Sequence, residues 1–345
     1  MKKTDLKNLS VRQLKEFLAS IGGESYNAKQ IIQWLYQKRT ESFDEMTNLS
    51  KDIRDKLQEE SFISRLKSSE ILRAKDGTAK FLFQLNDGNQ IETVLIPDRK
   101  RLTLCVSSQV GCAMGCTFCL TGKMGWKRNL SIAEILNQVL MVQETLEEGE
   151  SITNIVFMGM GEPFANYDNV LSSVELLLNK DGFAFHSKRI TVSTSGLIPQ
   201  IERFSKGERP CRLAISLNAT DDKTRSRLMP VNKRYPLQKL IEACRRISLV
   251  NKEQITFEYV IIKGVNDRPV DSRRMINLLK GIPAKVNLIP LNESEEIPFK
   301  RPSGEITLAF QKALKKAGII TIIRTSKGKG ISGACGQLCA EQNKA

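Results

Sequence analysis

From residue 102 onward, apolar strand-like runs alternate with amphipathic helical stretches, and this alternation constrains the fold more than any other feature. The runs are LTLCV, NIVFMGM, RITVSTS, RLAISLN, ITFEYVII, KVNLIPL and IITIIR. Between them lie SIAEILNQVLMVQETLEEG, NVLSSVELLLNK, PLQKLIEACRRISLV, DSRRMINLLKGI and GEITLAFQKALKKAG. Runs that are apolar throughout read as strands buried on both faces, and repeated β-then-α order calls for right-handed crossovers between parallel strands. The expectation is an α/β fold whose parallel sheet, over residues 98–345, curls into a full or partial barrel.

Ahead of it the pattern differs. Ser10 caps an apolar series through Leu14, Phe17 and Leu18, and helical stretches follow in QIIQWLYQKR and SKDIRDKLQEE, which predicts a small helical N-terminal domain over 1–70. Short alternating runs separated by KDG and NDG turns predict a β-hairpin extension over 71–97.

No run of 18 or more apolar residues is present, and the start, MKKTDLKNLSVRQ, lacks the apolar stretch of a signal peptide. A cytoplasmic protein with no membrane segment is expected. Its eight cysteines then face a reducing compartment, where clustered thiols point to metal or catalysis rather than disulfides. The single histidine, His186, argues against His-based triads and reads as structural.

The net charge of +15 is uneven. Residues 1–70 carry 13 Lys+Arg against 11 Asp+Glu, residues 180–250 carry 15 against 6, and residues 300–345 carry 9 against 2. A basic later half suits a phosphate backbone, although a solvated basic face reads the same way. Lys327, Lys329, Arg225, Arg227, Lys233 and Arg234 are the candidate phosphate contacts.

In a βα barrel the chemistry gathers where the strands end and the βα loops meet. Those positions carry GCAMGCTFCLTGKMG, GMGEP, Ser193, Ser216 to Asn218 and Asn292. Cys112, Cys116 and Cys119, spaced C-x3-C-x2-C, can converge on one inorganic centre. A structural zinc site wants four closed ligands, whereas a cubane held by three cysteines leaves one iron open. Zinc recruiting Cys105, or three free thiols, remain readings of the same residues.

With GMGEP one βα unit after that loop, the chain resembles the radical S-adenosylmethionine (SAM) superfamily, whose signature loop follows the first strand of a partial (βα)6 barrel. Collinear blocks narrow the resemblance to the bacterial RNA adenine-C2 methyltransferase family: IETVLIP, TLCVSSQVGCAMGCTFC, IVFMGMGEP, STSG, AISLNA, MPVNKRYPL, KVNLIPLN and GACGQL. The resemblance implies a [4Fe-4S] cluster on Cys112, Cys116 and Cys119, and two SAM molecules per turnover. It implies SAM contacts at Glu162, Pro163, Ser193, Ser216, Leu217, Asn218 and Asn292. Glu92 is then the proton acceptor, Cys335 the S-methylated cysteine and Cys105 its redox partner. The implied partners are 23S rRNA, adenosine in tRNA anticodon arms, and an electron donor such as flavodoxin, with the chain a monomer.

The chemistry is consistent with these parts. Adenine C2 is an electron-poor aromatic carbon, so a polar attack on the SAM methyl is closed and a radical route is required. Cys335 would carry the methyl group, Glu92 would remove the C2 proton, and the Cys105 thiol would release the product from the Cys335 sulfur. Pro163 and MPVNKRYPL favour the C2 enzyme over the C8-methylating antibiotic-resistance relative, which typically has Ala after the Glu of GMGE. A zinc-dependent RNA-binding protein and an iron-sulfur electron carrier are the readings of other classes. Cys211, Cys244 and Cys339 read as plain thiols, with Cys339 close enough to Cys335 in sequence to compete for exchange.

Overall fold

The computed structural model describes residues 3–206, 210–251, 254–328 and 330–339. Lys329, one of the expected phosphate contacts, lies outside them.

Ten strands form one sheet: β1 (Lys67–Arg73), β2 (Ala79–Gln84), β3 (Gln90–Asp98), β4 (Arg101–Cys105), β5 (Asn154–Phe157), β6 (Ile190–Thr194), β7 (Arg212–Ser216), β8 (Ile255–Ile261), β9 (Ala284–Pro290) and β10 (Ile320–Ile323). Neighbours in the sheet follow chain order throughout. From β4 to β10 every pairing is parallel, whereas β1 to β4 are antiparallel. The first and last strands do not pair, so of the full and partial barrels that the alternation of strands and helices allows, this one is open. The antiparallel ribbon starts at Lys67 and extends the barrel sheet through β3 and β4.

Outside the barrel strands pack α4 (Ile132–Glu144), α5 (Tyr167–Leu178), α6 (Ile198–Ser205), α7 (Asp222–Leu228), α8 (Leu237–Asn251), α9 (Pro269–Leu279) and α10 (Gly304–Lys316); the N-terminal region holds α1 (Val11–Ser20), α2 (Ser25–Gln33) and α3 (Lys51–Glu60). Ser10 caps α1 in a reciprocal box with Gln13, as its position predicts, and Ser131 does the same for α4 with Glu134. Among the described residues no helix is long and apolar enough to cross a membrane.

One continuous apolar core joins the N-terminal helices to the barrel. Tyr36 meets Phe183 at 5.0 Å between ring centres, and Gln33 Nε2 donates to Asp181 at 2.8 Å. The Lys7 ammonium is 4 % exposed and donates to Asn137 Oδ1 on α4 at 2.9 Å. His186 accepts the Lys188 N–H at 3.1 Å and caps a 3-10 turn, a structural role.

Burial lowers Lys7 from its ordinary 10.5 to about 8, against the pull of Asp5. The unfolded chain therefore holds this proton up to higher pH than the folded one. The cost of burying the charge is full below about 8 and is relieved as pH rises toward 10.5. Relative to Lys7→Met, the unsubstituted chain should gain on the order of 2 kcal/mol between pH 7.5 and 10.5 in urea unfolding. A difference independent of pH would show that Lys7 titrates normally in place.

Candidate active site

Past Cys105 the chain enters the cysteine loop, based on an antiparallel ribbon of Gln109–Gly111 against Trp126–Asn129. The Cys112 N–H donates to the Gly125 carbonyl at 2.9 Å. The strands lie so close that a Cβ at Gly111 would sit 1.8 Å from the Gly125 oxygen, and its φ is +72°. Only glycine can stand there.

The loop after β5 is fused to this one. A Cβ at Gly159 would meet the Val106 carbonyl at 2.7 Å, and one at Gly161 would meet Gln109 Cβ at 2.5 Å. The Ser107 hydroxyl donates to the Glu92 carbonyl at 2.5 Å and accepts the Met160 N–H at 2.9 Å. Gln138 on α4 accepts the Ser107 N–H and donates to the Ser107 carbonyl, standing in for a missing strand. Glu162 follows: its N–H donates to Gln109 Oε1 at 2.8 Å, and its buried carboxylate accepts the N–H groups of Phe164 at 2.9 Å and Ser195 at 2.7 Å. Burial pushes this carboxyl upward against those bonds.

These loops surround one cavity at the C-terminal end of the strands. Cys112, Cys116 and Cys119 line one side, and Glu162, Pro163 and Ser193 line it from β5 and β6. Ser216, Asn218, Asn292 and Cys335 complete it. The tail reaches the cavity because the Leu120 N–H donates to the Gly336 carbonyl at 2.8 Å and Thr121 Oγ1 to the Leu338 carbonyl at 2.6 Å. Asn292 Nδ2 donates to the Cys335 carbonyl at 3.0 Å and so holds the tail from β9.

Three expected residues stand off the cavity wall. Leu217 is fully buried, and its carbonyl accepts from Arg225. Glu92 is buried on β3, paired with Lys80 Nζ at 2.7 Å, and accepts the Cys339 N–H at 2.8 Å, so it touches the tail four residues past Cys335. Cys105 is buried at the end of β4, its thiol pushed up to about 12 by burial. Cys335 is an exposed residue that lines the cavity beside Gly336 and Leu338. Desolvation raises its thiol first, then negative charge at Cys105, Cys119 and Glu258.

Burial likewise pushes the Cys112 thiol up to about 12 and Cys116 well above the thiol range, with mutual repulsion adding to both. Among the described residues no three His, Cys, Asp or Glu side chains stand close enough together to hold a metal ion as they are. Thiols so placed become thiolates only when a cationic centre compensates them, and three facing a polar wall suit a centre with one open position. The residues present fit an iron-sulfur cluster.

Two cavity residues were not anticipated. Ser195, the second serine of the STSG segment, lines the cavity with its hydroxyl buried beside the Glu162 carboxylate. Glu258, a lone charge inside the apolar run ITFEYVII, lines the cavity and accepts from Asn287 Nδ2 at 2.7 Å. The structure also corrects Arg225: it is 0 % exposed and cannot meet RNA, while Arg227, Lys233 and Arg234 are exposed. Lys327 is half-buried and helps hold Asp76 below the usual carboxylate range.

An open parallel barrel with a three-cysteine loop after its first parallel strand is the architecture of the radical SAM superfamily, whose family model matches residues 106–276. Residues 4–63 match the ribosomal RNA large subunit methyltransferase N-terminal domain. Two relatives named dual-specificity RNA methyltransferase RlmN, from Geotalea uraniireducens and Geobacter sulfurreducens, are 48% and 49% identical. The matches cover 100% and 97% of this chain and 99% and 91% of theirs. A solved radical SAM methyltransferase from Sphaerobacter thermophilus superimposes with a TM-score of 0.91 at 44% identity, covering 98% of this chain and 100% of that one. The chain belongs to the RlmN family of radical SAM methyltransferases.

Gly111→Ala should block cluster assembly, because the clash with Gly125 moves Cys112. After anaerobic reconstitution the unsubstituted chain should hold about four irons, and the variant well under half of that. Gly304→Ala, whose Cβ meets nothing, should load normally. Full loading of Gly111→Ala would show that the ribbon does not set the loop.

Proposed function

We propose that this chain methylates C2 of an adenosine in 23S rRNA and of an adenosine in tRNA anticodon arms. The observation that carries the reading is that Cys335, on a tail held by Asn292 and Thr121, lines the same cavity as the three loop cysteines and Glu162. Cys112, Cys116 and Cys119 would hold a [4Fe-4S] cluster, while Glu162, Pro163, Ser193, Ser216, Asn218 and Asn292 would hold SAM, with Leu217 contributing main chain. When bound, these groups supply a methyl cation equivalent and a 5′-deoxyadenosyl radical, consuming two SAM per turnover.

The chain's own residues do the rest. Glu162 enters with both carboxylate oxygens already held by N–H groups, so its orientation costs no reorganisation when a positively charged amine approaches. Cys335 accepts the methyl group on sulfur, would give up one of that methyl's hydrogens to the 5′-deoxyadenosyl radical, and carries the methylene carbon to C2, the adduct then losing one electron together with its C2 proton. Glu92, paired with Lys80 and bonded to the tail at Cys339, takes the C2 proton. The Cys105 thiol then attacks the Cys335 sulfur; an S–S bond forms, the C–S bond to the base breaks, and the released methylene carbon takes the proton the thiol gives up, so that the methylated base leaves. An external donor such as flavodoxin restores the thiols and supplies the electron for SAM cleavage. The reading places the protein in the cytoplasm as a monomer, with Arg227, Lys233 and Arg234 meeting RNA phosphates and the N-terminal helices clamping the RNA.

Cys105→Ala should trap a covalent protein–RNA adduct that needs SAM and reductant, seen as a shifted band and mapped to Cys335 by mass spectrometry. Cys335→Ala should give neither adduct nor 2-methyladenosine while still binding SAM. Normal turnover by Cys105→Ala, or an adduct on Cys339, would refute these roles. RNA affinity should fall log-linearly with salt, and the combined Arg227, Lys233 and Arg234 alanine variant should flatten that slope by about three phosphate contacts. An unchanged slope would place the RNA elsewhere on the surface.

A further inference from the structure

Arg225 is among the most deeply buried side chains of the protein, at 0 % exposure, and it forms no ion pair among the described residues. Its Nε donates to the Leu217 carbonyl at 3.1 Å, and its Nη2 to the carbonyls of Ser195 at 2.7 Å and Ser216 at 3.1 Å. Nη1 donates to Asn232 Oδ1 at 2.9 Å. Asp222 is reached only through Asn232, whose Nδ2 donates to Asp222 Oδ1 at 2.8 Å. Every direct partner is therefore a neutral oxygen.

A guanidinium buried without a carboxylate is costly, so its charge calls for compensation beyond neutral hydrogen bonds. Its surroundings supply the compensation. The carbonyls it grips end β7 and the turn after β6, which carry Ser216 and Ser195 to the cavity wall. Cys116 lines the same cavity, and the Thr117 N–H beside it donates to the Leu228 carbonyl at 3.0 Å, at the end of the helix that carries Arg225. A cubane on three thiolates is anionic and gains one further negative charge on reduction.

We infer that Arg225 is a positioning residue whose buried charge stabilises the reduced cluster, besides tying the ends of β6 and β7 into one wall. This rests on the reading that Cys112, Cys116 and Cys119 hold the cluster. The charge acts through low-dielectric protein on Cys116, so it favours the more negative redox state and makes the one-electron reduction easier.

The test separates charge from hydrogen bonding. Arg225→Lys and Asn232→Ala keep the cation and lose hydrogen bonds; Arg225→Met and Arg225→Gln lose the cation. Each reconstituted protein is titrated against redox mediators with the reduced cluster followed by electron paramagnetic resonance, and the iron-free forms are melted in parallel. All four variants should melt lower than the parent chain. The two charge-keeping variants should reduce at the parent potential, whereas the two neutral ones should be at least tenfold harder to reduce, a shift of about −59 mV for one electron. A common potential for the Lys variant and either neutral variant overturns the charge role. A shift that tracks the melting temperature, Asn232→Ala included, overturns it in favour of a purely structural role. A parent chain that takes up no iron overturns it together with the site reading, and is distinguished by the absence of any signal.

Discussion

The active-site cavity depends on two backbone segments packed too closely for side chains between them. The first follows β4 and carries the cysteine loop; the second follows β5 and carries Glu162. Gly159 and Gly161 let them touch, and the Ser107 hydroxyl, bridging the Glu92 carbonyl and the Met160 N–H, fixes their relative height. Because such contacts are short and buried, small displacements are strongly resisted. Three thiols and a carboxylate are thereby delivered to one cavity without relying on the length of either loop.

The antiparallel ribbon explains how that arrangement is braced from outside. Arg128, beside the cysteine loop, pairs with both oxygens of Glu134 at 2.8 Å and with Asp87 in the NDG turn at 2.5 Å. Glu134 is at the same time the reciprocal cap of α4. A turn that reads as simple hairpin chemistry thus anchors the loop, and the extension β1 to β3 belongs mechanically to the site. The same ribbon brings Glu92 to the tail, since β3 lies next to β4 and its carboxylate accepts the Cys339 N–H.

Much of this was legible beforehand for definite reasons. Buried parallel strands leave apolar runs, so the strand order from LTLCV to IITIIR could be read directly, and cysteines close in sequence must be close in space. Ser10 and its cap needed only local rules. What could not be read is what depends on distant partners. Asn292 holding the Cys335 carbonyl joins residues 43 apart, and Glu92 meeting Cys339 joins residues 247 apart. Ser195 and Glu258 left fainter signals: a second serine in a short turn, and one acid inside an apolar strand.

The misreading of Arg225 shows how charge counting fails. A net excess over residues 180–250 treats every cation as surface, yet α7 places Arg225 inward and Arg227 outward, two positions apart on one helix. Residues two apart on a helix face away from each other, so one short segment carries a buried cation and a solvent-facing one. Arg227 faces solvent, where a phosphate is weakly and salt-sensitively attracted. Arg225 faces the cavity wall, where a charge is neither screened nor exchangeable. The basic composition that marks an RNA-binding surface therefore includes a cation that never meets RNA, and only the helix phase separates the two.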